Sequence, residues 1–334
     1  MHEMSGKLST SSYFFLLVHL GVHISKVFAE TIEYRLDDSW PKDKSLFSAP
    51  IFSVAVNQDN GDVYVAKRNT KDSNILHFLR DGEFKRFLQV EGTLEQVHGL
   101  TFHTDLQGKQ SLWATDVGNG SYGYTVKEYS LDGALLRMLG TPGIAGSHLK
   151  PLQFGNVADV AFDARGLLYA VDGDGGVNNR LIKLNSTFQD LWSVGKEGSG
   201  EYEFHIPHSV AVSPRTGNVW VADRMNNRLL VFDQKKPTLL ASCSMKGGQP
   251  YSVRFSADGS HLIVAQLNND TVTFVSSVID SSVCKTLGFV QLTKTVKPHL
   301  VDVDLKSGAF YVGEIGIPGC QRFVPVQKRK VLGL

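Results

Sequence analysis

Ser209-Val-Ala-Val, Val219-Trp-Val-Ala-Asp223 and Arg228-Leu-Leu-Val-Phe232 are the stretch that decides the fold. Each run is four or five residues long, rich in β-branched and aromatic side chains, and bounded by polar turns. That length and composition read as strands, because a helix would need a longer run with a 3.6-residue period. Between the first two runs lies Arg215-Thr216-Gly217, and glycine there accepts the positive φ of a tight hairpin.

The same unit recurs on both sides. Upstream it reads Ser53-Val-Ala-Val, Asp62-Val-Tyr-Val-Ala and Ile75-Leu-His-Phe. It then reads Gly99-Leu-Thr-Phe, Ser111-Leu-Trp-Ala-Thr-Asp116 and Val126-Lys-Glu-Tyr, followed by Asp159-Val-Ala-Phe, Leu168-Tyr-Ala-Val-Asp172 and Arg180-Leu-Ile-Lys-Leu. Downstream come Ser252-Val-Arg-Phe, His261-Leu-Ile-Val-Ala and Thr271-Val-Thr-Phe, then Leu300-Val-Asp-Val, Ala309-Phe-Tyr-Val-Gly-Glu314 and Gln321-Arg-Phe-Val. Turns ending in Gly61, Gly166, Gly259 and Gly308 repeat the hairpin signal. Starts of the six copies lie 43 to 60 residues apart, which leaves room for a fourth, outer strand. This is the period of propeller blades, each of which buries its faces only by stacking on its neighbours. The expected fold is therefore all-β, a six-bladed β-propeller. Its last copy runs out of chain near Pro325, and the early segment Thr31-Ile-Glu-Tyr-Arg-Leu is expected to supply the missing outer strand.

The rest of the composition bounds the surroundings. Charged residues make up 20% of the 334 residues, the formal net charge is +1, and no long basic run is present. Nucleic-acid binding needs clustered cations to displace phosphate counterions, so it is not expected. A weakly basic start, an apolar centre over 13–22 and Val27-Phe28-Ala29 before Glu30 read as a cleaved signal peptide over 1–29. The propeller is then expected over 30–325, with a basic tail over 326–334 that contains Lys328-Arg329-Lys330. No later stretch approaches the roughly 20 apolar residues of a membrane-spanning helix. The mature protein is accordingly expected to be a secreted monomer, extracellular or in a secretory-granule lumen. Asn119, Asn185 and Asn269 stand in glycosylation sequons. Of the three cysteines, Cys243 and Cys284 flank one repeat and are the favoured disulfide, although spacing alone does not decide it.

Aligning the copies on the first strand exposes a further pattern. The residue just before that strand is Phe52, His98, Ala158, His208, Tyr251 and His299 in turn. Histidine thus falls in the second, fourth and sixth copies, which sit about 120° apart in a six-fold ring whose first strands line the channel. Three imidazoles meeting near the axis, with one position open, form a catalytic type of zinc arrangement. The bland alternative is a local turn histidine in Pro-His, since Pro207 and Pro298 precede two of the three. Asp172-Gly-Asp174-Gly-Gly reads first as a tight loop whose carboxylates bind backbone amides. Asp174 is also a candidate base near a metal. Asp116, Asp172, Asp223 and Glu314 end second strands at equivalent positions and read as structural acids holding loop amides.

At Asn178-Asn-Arg-Leu-Ile-Lys-Leu and Val221-Ala-Asp-Arg-Met-Asn-Asn-Arg-Leu-Leu-Val-Phe the chain resembles NHL repeats. A more distant resemblance is to the lyase domain of the peptide-amidating enzyme, a six-bladed propeller carrying zinc and calcium. The resemblance implies zinc ligation by His98, His208 and His299, with Arg68 and Arg224 matching two arginines of that domain. Its catalytic tyrosine, however, aligns with Asp174, its methionine before the last Pro-His with Lys297, and its acidic calcium ligand with Leu300. Calcium is therefore not expected. TRIM-type NHL proteins also resemble the chain, but their cysteine-rich zinc modules have no counterpart here. Losing the phenol and the calcium carboxylate leads to the expectation of a non-enzymatic binding or scaffold module, whose partner is an extracellular protein or peptide and whose channel holds the three-His metal site. The alternative is a zinc-dependent lyase-like or hydrolase-like enzyme with altered catalytic residues, in which Arg68 and Arg224 hold an anionic group.

Overall fold

The computed structural model describes residues 32–68, 75–118, 120–279 and 285–326. The described strands form six antiparallel four-stranded sheets. Their inner strands are Ile51–Val56, Val97–Thr104, Val157–Phe162, Pro207–Val212, Pro250–Phe255 and Pro298–Val303. Five sheets run in simple sequence order from inner to outer strand. The sixth is closed by the N-terminal strand Tyr34–Leu36, which pairs with Gly319–Pro325 so that Tyr34 faces Pro325 and Leu36 faces Phe323. A ring closed in this way joins the two ends of the chain and leaves no open seam between first and last blades. The proposed signal peptide and basic tail lie outside the described residues.

Turn chemistry follows the sequence. Gly61, Gly166, Gly217, Gly259 and Gly308 have φ of +82°, +73°, +74°, +66° and +73°, where a Cβ would be strained. The core sits between blades. Tyr169, Val171 and Leu181 of the third blade pack with Val210, Val219, Val221 and Leu230 of the fourth. At the closure, Val54, Val63 and Val65 pack with Tyr311 and Cys320. Each sheet is apolar on both faces because each face meets another sheet.

One irregularity repeats in all six blades and sets up the site. Where the inner strand begins, its register against the second strand slips: between Ile51 and Ser53, Val97 and Leu100, Val157 and Asp159, Pro207 and Ser209, Pro250 and Ser252, and Pro298 and Val301. A bulge leaves its extra residue unpaired and re-aims its side chain. The residues so placed include Phe52, His98, Ala158, His208, Tyr251 and His299.

Candidate functional site

The bulges bring the three histidines together. Their ring centroids are 4.6 Å (98–208), 4.7 Å (98–299) and 4.8 Å (208–299) apart, a nearly equilateral triangle with rings steeply inclined to one another. All three are buried, and one ligand atom from each lies within 4.8 Å of the other two.

Alternate blades fix the rings. His98 Nδ1 lies 2.7 Å from the Ala158 carbonyl oxygen, His208 Nδ1 2.6 Å from that of Tyr251, and His299 Nδ1 2.6 Å from that of Phe52. A carbonyl oxygen can only accept, so each Nδ1 carries the proton and donates it. Each histidine is thus oriented by the bulge residue of the next blade, and its Nε2 lone pair turns to the axis. Burial holds the His208 and His299 imidazoles well below their usual pKa, with neighbouring positive groups acting in the same direction, so both are neutral ligands. His98 Nε2 and His208 Nε2 face each other at 3.2 Å. Two ring nitrogens facing each other at this distance, with a third imidazole beside them, are a set that a shared cation would complement.

Asp174 completes the cluster. Its carboxylate oxygens lie 3.3 Å from His98 Nε2, 3.9 Å from His208 Nε2 and 3.2 Å from Arg224 Nη1. Burial alone would push this carboxyl up, but His98, His208 and Arg224 outweigh it and hold it well below the usual carboxylate range. The two carboxylates of the loop therefore divide the work. Asp172 accepts from the Gly155 and Asn156 amides and pairs with Arg180 at 3.0 Å, the structural role expected of it, whereas Asp174 faces the imidazoles. Asp116 and Asp223 likewise hold loop amides, at Glu95 and Gln96 and at His205.

Both candidate arginines stand beside this cluster, stacked on the bulge residues of blades without histidine. The Arg68 guanidinium lies 3.6 Å from the Phe52 ring centre and donates from Nε to the Val97 carbonyl at 2.6 Å. Its Nη2 is buried without a partner, and burial pushes its pKa down to about 10. The Arg224 guanidinium lies 4.8 Å from the Tyr251 ring centre, with Nε unpartnered. Free donors on two rigid, stacked guanidiniums suit an anionic group.

On the inner strands, three groups missed by the sequence reading form an ionic cluster of their own. Arg254 donates from Nη1 and Nη2 to Asp159 at 2.9 and 3.1 Å, and its Nε lies 3.9 Å from Asp302. The signal was available: at the repeat position holding Ala55, Thr101, Ala161 and Ala211, the fifth and sixth copies carry Arg254 and Asp302. The remaining candidates are peripheral. Asn185 is half-buried in a turn and Asn269 is exposed, while Asn119 and Cys284 lie outside the described residues. Cys243 is buried in the fourth blade's outer strand, and Cys320 is a free, buried thiol.

A six-bladed ring of NHL-like units holding a preformed three-histidine site defines the class: an NHL-repeat β-propeller. The NHL repeat model matches residues 204–232. NHL repeat-containing protein 3 of Homo sapiens is 45% identical over 89% of this chain and 86% of its own length. Its Mus musculus counterpart is 44% identical over 89% and 85%. The chain belongs to the NHL repeat-containing protein 3 family. Peptidylglycine alpha-amidating monooxygenase of Rattus norvegicus is 31% identical over 40% of this chain and 13% of that protein. Among solved structures, selenomethionine-substituted virginiamycin B lyase from Staphylococcus aureus superposes with a TM-score of 0.55 at 13% identity, covering 89% of this chain and 90% of that one, a likeness of fold.

One expectation is corrected. The missing phenol and calcium carboxylate argued for a non-enzymatic module. The cluster instead presents three oriented Nε2 atoms, an adjoining carboxylate and two arginines with free donors. A site assembled this far for chemistry overturns the non-enzymatic reading.

Proposed function

We propose that the chain is a secreted, zinc-dependent lyase-like enzyme acting on a small peptide-like substrate that bears a hydroxyl and a carboxylate. The observation that carries this reading is the triangle of Nε2 lone pairs, each held by an Nδ1–H bond to the next blade. Three imidazoles with an open fourth position suit zinc over a hard, oxygen-seeking cation. Bound there, zinc would supply a Lewis acid that polarises a substrate oxygen.

The chain's own residues do the rest. Arg68 and Arg224 hold the substrate carboxylate through donors that have no partner in the protein. Asp174, ionised beside His98, takes the hydroxyl proton. In an α-hydroxyglycine peptide the oxygen lone pair then forms a carbonyl and the C–N bond breaks. The amide nitrogen accepts that proton back from Asp174, giving a peptide amide and glyoxylate and returning the carboxylate. The Phe52 and Tyr251 rings, 4.9 Å from His299 and 4.6 Å from His208, wall the site and stiffen both arginines.

The test is glyoxylate release from an α-hydroxyglycine peptide by zinc-loaded protein. We expect chelator-sensitive turnover that falls about a hundredfold or more in Asp174→Asn while zinc content stays unchanged. Turnover equal to the chelated background would end the lyase reading.

A further inference from the structure

Three blades neutralise the acid at the end of the second strand with a cation from their own third strand. Asp116 meets Lys127 Nζ at 2.8 Å, Asp172 meets Arg180 Nη2 at 3.0 Å, and Asp223 meets Arg228 Nε at 2.7 Å. In two of them the arginine stands directly opposite the acid in the strand register, Asp172 against Arg180 and Asp223 against Arg228. The sixth blade keeps the acid and loses the cation, since Glu314 stands opposite Gly319. Where a long side chain would stand, there is a cavity of about 190 Å³ walled by Leu36, Trp40, Phe47, Glu314, Gly319 and Cys320. Glu314 is 3% exposed and its Oε1 is buried without a partner. A buried carboxylate oxygen left unpaired is costly and has few exceptions in folded proteins.

We infer that this cavity is a binding site for a guanidinium side chain, an arginine presented by a peptide or protein partner, with Glu314 as its counter-ion. The site fills from outside the blade the place that Arg180 and Arg228 fill from within. It is separate from the metal centre and does not depend on it.

The walls fit that occupant. Trp40 and Phe47 offer aromatic surface to a flat cation, and the Trp40 indole Nε1 is a second buried group without a partner, suited to a peptide carbonyl. Lys44 at the rim does not serve, because its Nζ lies 3.8 Å from Asp38 and both side chains are well exposed. A soft metal ion fits poorly, since burial holds the Cys320 thiol well above its usual pKa and so keeps it protonated. Burial also pushes the Glu314 carboxyl up to about 8, as expected of an acid whose cation is missing.

The test is titration of the whole protein with N-acetyl-arginine amide, followed by calorimetry and by thermal melting. N-acetyl-citrulline amide, the neutral isostere, is the control. We expect saturable binding of the arginine probe alone and a loss of about tenfold or more in affinity in Glu314→Gln. Gly319→Arg, which restores the blade-three arrangement, should abolish probe binding and raise Tm. Gly319 is not in the left-handed region, but a Cβ there would collide with Glu314 Oε2, so the Glu314 carboxylate must swing aside to pair with the new guanidinium. Should Gly319→Arg misfold, Glu314→Gln, which preserves shape, decides alone. Absence of saturable binding up to the order of 10 mM, equal binding of citrulline, or undiminished binding by Glu314→Gln would each overturn the assignment.

Discussion

Replacing Arg254 with methionine removes the guanidinium that Asp159 and Asp302 share, and its effect can be worked from the structure. Arg254 makes two hydrogen bonds to Asp159 and stands 3.9 Å from Asp302. Breaking a buried pair by removing one partner costs about 3–5 kcal/mol, because the surviving charge has nothing to meet. The pH dependence is the sharper reading. Burial pushes the Asp302 carboxyl up from 3.8 to about 6, with Arg254 opposing that rise. The folded protein therefore holds this proton more tightly than the unfolded chain, so this group favours folding increasingly as pH falls from about 7 to about 4. The gap corresponds to about 3 kcal/mol, and we take about 2 because 21% of the side chain is exposed. Without Arg254 the carboxyl rises further, and Asp302 is neutral by about pH 5. Urea unfolding followed by tryptophan fluorescence should show Arg254→Met losing about 3–5 kcal/mol at about pH 7.5 and less than that at about pH 5, because the carboxyl without Arg254 gains more from protonation than the paired one, with unchanged m. A loss below about 1 kcal/mol, or the same loss at both pH values, would refute the reasoning.

Other consequences can be read separately. In Gly99→Ala the new Cβ would sit 2.9 Å from the Ala158 carbonyl oxygen that anchors His98. The variant should lose about 1–3 kcal/mol in denaturant unfolding and bind zinc about tenfold more weakly or worse by competition titration. Combined His98→Ala, His208→Ala and His299→Ala substitution should leave the chelated protein folded but insensitive to metal. Wild type should gain about 2.7 kcal/mol at zinc concentrations of about 100 Kd, read as a shift in thermal melting. If Arg68 holds the substrate carboxylate as proposed, Arg68→Met should raise KM for a carboxylate-bearing substrate about tenfold or more with zinc content unchanged, because Arg68 is not one of the three metal-ligating residues.

Most of the fold was legible because its signals are local. Six apolar triplets of strands, the glycines at their turns and an unclaimed N-terminal strand each act within a few residues, and the ring follows from stacking. The histidine triangle was legible for a different reason. A repeat aligned on one strand converts sequence position into angular position, so alternation in copies predicts convergence in space. What orients the rings was not legible, because the acceptors are backbone carbonyls of Phe52, Ala158 and Tyr251, and a carbonyl has no sequence signature. The roles of Phe52 and Tyr251 beneath Arg68 and Arg224 were hidden similarly, since an aromatic residue at a bulge and an arginine after a strand carry no mark in sequence that they stack. Weighing lost residues against a relative's pattern misjudged the chemistry. It counted the absent phenol but could not see that Asp174 stands beside His98 and His208.

Metal content decides the central claim most directly. Protein purified from secreting cells grown with ambient metals, without an affinity tag that binds them, should carry about one zinc per chain by plasma mass spectrometry, and the triple histidine variant should carry none. Wild-type protein with no bound metal after equilibration with micromolar zinc, or a variant that retains the same stoichiometry, would contradict the account.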